Sequence, residues 1–402
     1  MDGALPRGFR AYPFPLGLAI LLVQAALGIL LFATFQAWVP RHLGGGDGWG
    51  GYLLAAYGAA RFLFETPTGA IADRIERRTG LLIGFALMLP AILLMLLVRE
   101  RHAYLAFAAM LGFATAFLWP ATYAIAADLY PPGRRGRVIG FLNLAQLAGF
   151  GTGALAGAVL VEQAGAWQFW AALGAVGLAF GAALLGIPAY GRDGRLRPQA
   201  LARPPLRSVL TGRAWALGGL ILLASVALAM LVPAIRPYGE RQLGISFARL
   251  TVALIPAVAA GALLYIPAGT FADRFGRWRP FAAGQLCLVA GLAVLAATAN
   301  LPVAMAAATL VFAGNVLAVP AWNAAVMDLA PESHRATLIG LSVALSGLAL
   351  ATGPAIGGLI VGRWGAPAAF LVSAGLATVT SFAIWAYARW QRSFTPAEAS
   401  RH

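Results

Sequence analysis

The 402-residue chain contains no lysine, one cysteine, four histidines and only 14 acidic residues. A single cysteine, Cys287, excludes an intrachain disulfide framework and a cysteine-rich metal site. The histidines (His42, His102, His334 and His402) fall in polar breaks or at the terminus, so neither a metal centre nor a cofactor is expected. Charged residues make up 11% of the chain, whereas 60% is apolar before its 48 glycines are counted. Soluble domains reach about 45–50% with glycine included, so this composition excludes an ordinary water-soluble fold. No nucleophile, base and orienting group cluster in the sequence, and no phosphate-binding loop occurs, so the chain does not read as an enzyme.

What the chain does contain is long apolar runs. A helix crosses roughly 30 Å of hydrocarbon with about 20 apolar residues. Charged or Gly/Pro-rich breaks then delimit spans near 13–37, 50–72, 80–98, 103–127, 138–161, 167–190, 214–236, 247–271, 280–299, 303–327, 337–361 and 367–388. The expectation is an all-α integral membrane protein of twelve transmembrane helices. Arg7 and Arg10 precede an apolar stretch from Tyr12 to Trp38 that is too long for a signal peptide, so it reads as an uncleaved first span with a cytoplasmic N-terminus.

All 29 basic residues are arginine, which gives a net charge of +15 and suggests a GC-rich bacterial genome. With the N-terminus inside, 21 of them face the cytoplasm and seven the outside, and Arg61 falls within a span. That asymmetry satisfies the positive-inside rule and makes the basic charge topological rather than a nucleic-acid footprint. Both termini are then cytoplasmic, and the expected location is a bacterial cytoplasmic membrane. Residues 191–213 read as a cytoplasmic linker at anionic headgroups, between an N-terminal six-helix bundle (1–190) and a C-terminal one (214–402).

The two bundles repeat with a period of 200 residues and no insertion. Gly69, Ala72, Asp73, Arg74 and Arg77 recur as Gly269, Ala272, Asp273, Arg274 and Arg277. Pro120, Asp128, Pro131, Arg135 and Gly140 recur as Pro320, Asp328, Pro331, Arg335 and Gly340, and Thr152, Gly153 and Gly157 as Thr352, Gly353 and Gly357. Two halves of like topology, related by an axis along the membrane normal, form the parallel-repeat architecture of one transporter class.

With loops after the second span and again after the eighth that follow the signature G-x-x-x-D-R-x-G-R-R at all but one position each, the chain resembles the major facilitator superfamily over nearly its whole length, in particular its drug:proton antiporters. The resemblance implies a secondary transporter that works by alternating access. It also implies a cytoplasmic gate, a latch of the outward-open state carried by Gly69, Asp73, Arg74, Arg77 and Asp128, with Gly269, Asp273, Arg274, Arg277 and Asp328 as counterparts. The chemistry agrees, since an aspartate suits a helix N-terminus and arginines reach acidic groups across a short turn. Topogenic charge alone is the plainer reading. The first loop departs from the signature by placing Glu76 where the second has Gly276, which puts its tight turn in doubt.

Arg61 and Glu65 are the ionisable residues inside the second span. Counted back from Asp73, Glu65 lies roughly 12 Å and Arg61 roughly 18 Å deep, on one helix face at i, i+4. Burial favours a neutral carboxyl and a neighbouring arginine favours a carboxylate, so the pair is a candidate for proton coupling or substrate binding; a permanent structural ion pair is the alternative. Gln24, Asn143, Gln146, Asn315 and Asn323 are further polar cavity candidates, and Trp119, Tyr123 and Trp322, near the matched prolines, offer aromatic faces to an apolar or cationic substrate. Trp167 and Trp170 look like interfacial belt residues.

Two family features bear on direction. The arginine usual in the fourth span of drug:proton antiporters is absent, Ala108 standing in its place, and the Gly-Pro-x-x-Gly-Gly run usual in the fifth occurs in the eleventh as Gly353 to Gly358. The expected function is proton-coupled efflux of an amphipathic or drug-like small molecule by a monomer, with protons, that molecule and the lipid bilayer as its partners and no nucleic acid. A proton-linked or facilitated carrier of an anionic metabolite or lipid, motivated by Arg61 and Arg236, is the alternative within transport. A non-transporting assembly or sensor protein is the alternative from another class.

Overall fold

A computed structural model describes residues 13–130, 132–163, 165–187, 212–261, 263–264, 278–329 and 335–394. The first six helices are α1 (Phe14–His42), α2 (Trp49–Arg74), α3 (Arg77–Leu97), α4 (Ala103–Thr115 continuing as Leu118–Leu129), α5 (Pro132–Leu160) and α6 (Trp167–Gly186). Then come α7 (Trp215–Gln242), α8 (Phe247–Gly261), α9 (Trp278–Ala297) and α10 (Leu301–Leu329). A last helical run, Arg335–Phe394, is broken at Gly365 (φ 80°, ψ 177°) into α11 and α12.

Nine stretches among the described residues are long and apolar enough to cross a membrane. One of these, Ala344–Ala386, holds both α11 and α12. The charge-bearing α2 and the shorter α8 complete the twelve.

The chain falls into two compact units, Met1–Leu201 and Ala202–His402. Residues 191–211 of the expected linker lie outside the described residues. In the first unit α1 packs on α5 and α6, α2 on α4, and α3 on α4 and α6. In the second, α7 packs on the α11–α12 run and α9 on α10 and on that same run, which repeats the pattern six helices later.

Small residues allow this packing. A Cβ added at Gly153 or Gly157 of α5 would overlap the α1 backbone at Ala25 or Ile29, and one added at Gly353 or Gly357 of α11 would overlap α7 around Val226 and Met230. Helices approach this closely in a bilayer because lipid gives them no hydrophobic reason to associate and contact must come from packing. The connections match too: Gly44 and Gly244 both have positive φ, and so do Gly165 and Gly365.

Two local irregularities shape the first unit. Between Gly28 and Trp38, α1 widens so that backbone bonds skip to the fifth residue, as from Val39 N–H to the Thr34 carbonyl. Side chains supplement the altered ladder: the Thr34 hydroxyl donates to the Ile29 carbonyl at 3.0 Å, and Gln36 Nε2 to those of Leu31 (3.3 Å) and Gly50 (3.2 Å), the last tying α1 to α2. The second irregularity is the break in α4 at 116–117. Pro120 has no N–H to give to the carbonyl four residues earlier, that of Ala116, and the Thr68 hydroxyl of α2 stands 2.8 Å from that oxygen.

Candidate functional site

Helix α2 runs without interruption through Arg61 and Glu65, with Pro67 inside it. Arg61 Nη2 and Glu65 Oε1 are 3.6 Å apart, with 23% and 22% of their side-chain surfaces exposed. This is an ion pair longer than a direct charge-assisted hydrogen bond, which runs at about 2.7–2.9 Å. The pair with the same spacing on α7, Arg236 and Glu240, closes to 2.7 Å, with Arg236 only 6% exposed.

One turn before Arg61, Tyr57 is buried and within hydrogen-bonding reach of it. The Tyr57 hydroxyl is met at 3.2 Å by the Thr115 hydroxyl from α4. Sequence reasoning passed over both residues, although Tyr57 stands at i−4 from Arg61.

The opposite wall comes from α4 and α5. Tyr123 lies within electrostatic reach of both Arg61 and Glu65. Its ring stacks on Trp119 (centroids 5.5 Å apart, 29° between planes), and its hydroxyl donates to Asn143 Oδ1 at 3.3 Å. Trp119 is buried, whereas Tyr123 and Asn143 are exposed. The structure thus brings together Arg61, Glu65, Trp119, Tyr123 and Asn143, five sequence-selected residues from three helices. Gln146 is half-buried one turn beyond Asn143, and Gln24 is buried within α1. Asn315 lies in the other unit, on the wall of a cavity. Trp322 and Asn323 fall on α10, outside the side chains that the structure describes.

At the α2–α3 turn, Arg77 Nε meets Asp128 Oδ2 at 2.6 Å, so the first residue of α3 is bound to the end of α4. The turn consists of Ile75 (φ −101°, ψ 169°) and Glu76 (φ −62°, ψ 132°), both extended. Neither needs positive φ, so Glu76 fits where the second loop has glycine, and the doubt over this turn is removed. Arg78 reaches further, donating to the Leu184 carbonyl of α6. Gly69 faces Pro120, but an added Cβ would make ordinary contact at 3.7 Å, so crowding does not demand glycine there.

Beside Asp128, burial pushes the Tyr130 phenol up to about 12, so it stays neutral. The side chains of Asp73, Arg74 and Asp328, and all of Gly269, Asp273, Arg274 and Arg277, lie outside what the structure describes. Among the described residues no three of His, Cys, Asp and Glu group to hold a metal.

The Major Facilitator Superfamily model matches residues 16–263 and again 217–401. The chain belongs to that superfamily. It is a multi-pass membrane protein and a small-molecule transporter of the superfamily's type. It is 27% identical over 354 residues to the multidrug resistance protein MdtH of Cronobacter sakazakii, with 85% of each chain covered. Its likeness to YttB, an uncharacterised MFS-type transporter of Bacillus subtilis, is 24% over 161 residues and spans 40% of that relative. In fold it is similar to a bacterial homologue of the human lysosomal transporter Spinster, inward-facing and unoccupied, with a TM-score of 0.76, 15% identity and coverage of 94% of this chain and 96% of that one.

Proposed function

We propose that this superfamily member is a proton-coupled exporter of amphipathic or drug-like small molecules, working by alternating access as a monomer in a bacterial cytoplasmic membrane, with both termini inside. The observation that carries the reading is the slack Arg61–Glu65 pair. A carboxylate held at 3.6 Å and part-exposed keeps acceptor positions open to a proton or a cationic substrate, whereas the 2.7 Å Arg236–Glu240 pair does not leave its carboxylate free in the same way. Trp119 and Tyr123 add aromatic faces beside it. The printed name of the 27% identical relative, a multidrug resistance protein, supports the substrate class. One charge moved through 100 mV releases about 2.3 kcal/mol, enough for a gradient of nearly fiftyfold.

The test is accumulation of cationic, neutral and anionic fluorescent compounds in an efflux-deficient host. Wild type excludes at least one compound, an uncoupler abolishes the exclusion, and Glu65→Gln does the same. Exclusion that survives Glu65→Gln unchanged removes Glu65 from the mechanism.

The second reading, a proton-linked or facilitated carrier of an anionic metabolite or lipid, is favoured by the fixed cation of Arg61 in an apolar span. Arg236 supports it less, because Glu240 already holds it. No exclusion across the panel, together with anion binding that is lost in Arg61→Ala, would decide for the carrier.

A further inference from the structure

The second unit has a partly open cavity of about 230 Å³ lined by α7, α8, α9, α10 and Phe370 of α12. Leu231, Ile235, Leu254, Leu292 and Phe312 form most of its wall, and Asn315 is the amide among them. The Tyr238 hydroxyl, also at the wall, is occupied by the Thr298 carbonyl at 3.0 Å. Asn315 stands 14 residues into α10, roughly 21 Å along the helix, so the polar end of the cavity lies near mid-membrane.

The 200-residue repeat gives each wall position a counterpart in the first unit. In the first unit the counterpart of Ile235, Phe35, is fully buried, and Trp38 packs on Tyr104 (6.3 Å) and Phe169 (5.1 Å). Two hundred residues on, Phe35, Tyr104, Phe107 and Phe169 are replaced by Ile235, Ala304, Ala307 and Ala369. All three alanines are buried in one core cluster with Tyr238 and Phe370, which contact each other edge to face at 5.1 Å. None of the three alanines lines the cavity; at its wall the exchange runs both ways, Ile235 for Phe35 and Phe312 for Gly112. Cores are ordinarily filled to a density of about 0.74, so a space of this size walled almost wholly by apolar side chains is a site for a small molecule.

We infer that the second unit holds a binding site for a small apolar ring compound with one hydrogen-bonding group, the ring between Leu231, Ile235, Leu292 and Phe312 and the polar group on Asn315. At interior packing density the space takes about ten non-hydrogen atoms. The site is built from residues of the second unit alone and does not depend on the transport reading.

The probe is 1-naphthol, with naphthalene as its counterpart lacking the hydroxyl, measured by equilibrium binding to the purified full chain in detergent. Wild type binds 1-naphthol saturably. Ile235→Phe, which installs the ring found at position 35, raises the thermal midpoint and weakens 1-naphthol by about tenfold or more. Asn315→Leu weakens 1-naphthol by about tenfold, the scale of one lost hydrogen bond, and leaves naphthalene within about twofold. Ala308→Leu fills the same space from α10 and gives the same reading should Ile235→Phe fail to fold. Absence of saturable binding to wild type, or equal affinity in wild type and a folded filling variant, overturns the inference. Transport that is lost or kept in Glu65→Gln leaves it standing.

Discussion

The Thr68 hydroxyl of α2 lies 2.8 Å from the carbonyl oxygen of Ala116 in α4, the acceptor that Pro120 cannot serve. The same hydroxyl is 2.8 Å from the Phe64 carbonyl, so its one proton is shared between helices. Thr68 is 1% exposed. Thr68→Val keeps the shape and removes the donor, and is expected to destabilise the fold by about 1 kcal/mol, read as a lower thermal midpoint in detergent. Thr68→Ser should hold close to wild type. An unchanged midpoint in Thr68→Val would show that the α4 break needs no donor from α2.

The Arg77–Asp128 pair joins α3 to α4 at 2.6 Å, with 26% and 18% of the side chains exposed. If it belongs to a cytoplasmic latch, Asp128→Asn shifts the balance of conformations by about 1 kcal/mol, roughly fivefold in population. Distances between spin labels on the cytoplasmic ends of the two units read that shift. Combining Arg77→Asp with Asp128→Arg restores an ion pair and should recover part of the wild-type distribution. A distribution identical in wild type and Asp128→Asn leaves topogenic charge as the pair's role.

Glu100 accepts from the backbone N–H groups of His102 (2.9 Å) and Ala103 (2.6 Å) at the start of α4. These bonds, His102 first and then Ala103, hold its carboxyl below the ordinary value of 4.5. The unfolded chain therefore binds this proton more readily than the folded one. The contribution to stability is complete above pH 4.5 and disappears as the pH falls through the lower folded value. Glu100→Gln should flatten that part of the midpoint-versus-pH curve; identical curves for variant and wild type would contradict the capping role.

Gly153 and Gly140 lie on the same helix, α5, in opposite circumstances. Gly153→Val drives a side chain into the α1 backbone at Ala25, whereas nothing lies within 4 Å of a Cβ at Gly140. Gly153→Val should abolish folded protein in a detergent monodispersity assay. Gly140→Ala should instead raise the thermal midpoint, by the roughly 0.5–1 kcal/mol that alanine gains over glycine inside a helix. A folded, stable Gly153→Val would show that α1 and α5 can separate without loss.

Much of this organisation was legible in the sequence, because the bilayer imposes a length on each span and the repeat allows one half to be read against the other. The twelve spans follow from apolar runs and arginine breaks, and the Arg61–Glu65 pairing from its four-residue spacing. Tyr57, Thr68 and Thr115 were missed because a buried hydroxyl carries no periodic signal and its partner is fixed only when another helix arrives. The α4 break needed Pro120, which was visible, together with the Thr68 contact, which was not. At Glu76 the departure from the loop signature put the tight turn in doubt, but Ile75 and Glu76 turn the chain in extended conformations open to any residue. The cavity was not legible because its wall is assembled from side chains of α7, α8, α9 and α10 that meet only when the helices pack.

The left-handed glycines carry a historical consequence. Gly44 and Gly244, like Gly165 and Gly365, turn the backbone through positive φ at positions 200 residues apart. Equal turns at equal offsets are what duplication of one six-helix polypeptide would leave in both halves. Phe35, Tyr104 and Phe169 correspond to the smaller Ile235, Ala304 and Ala369, so the two halves share their turns and differ in their cores.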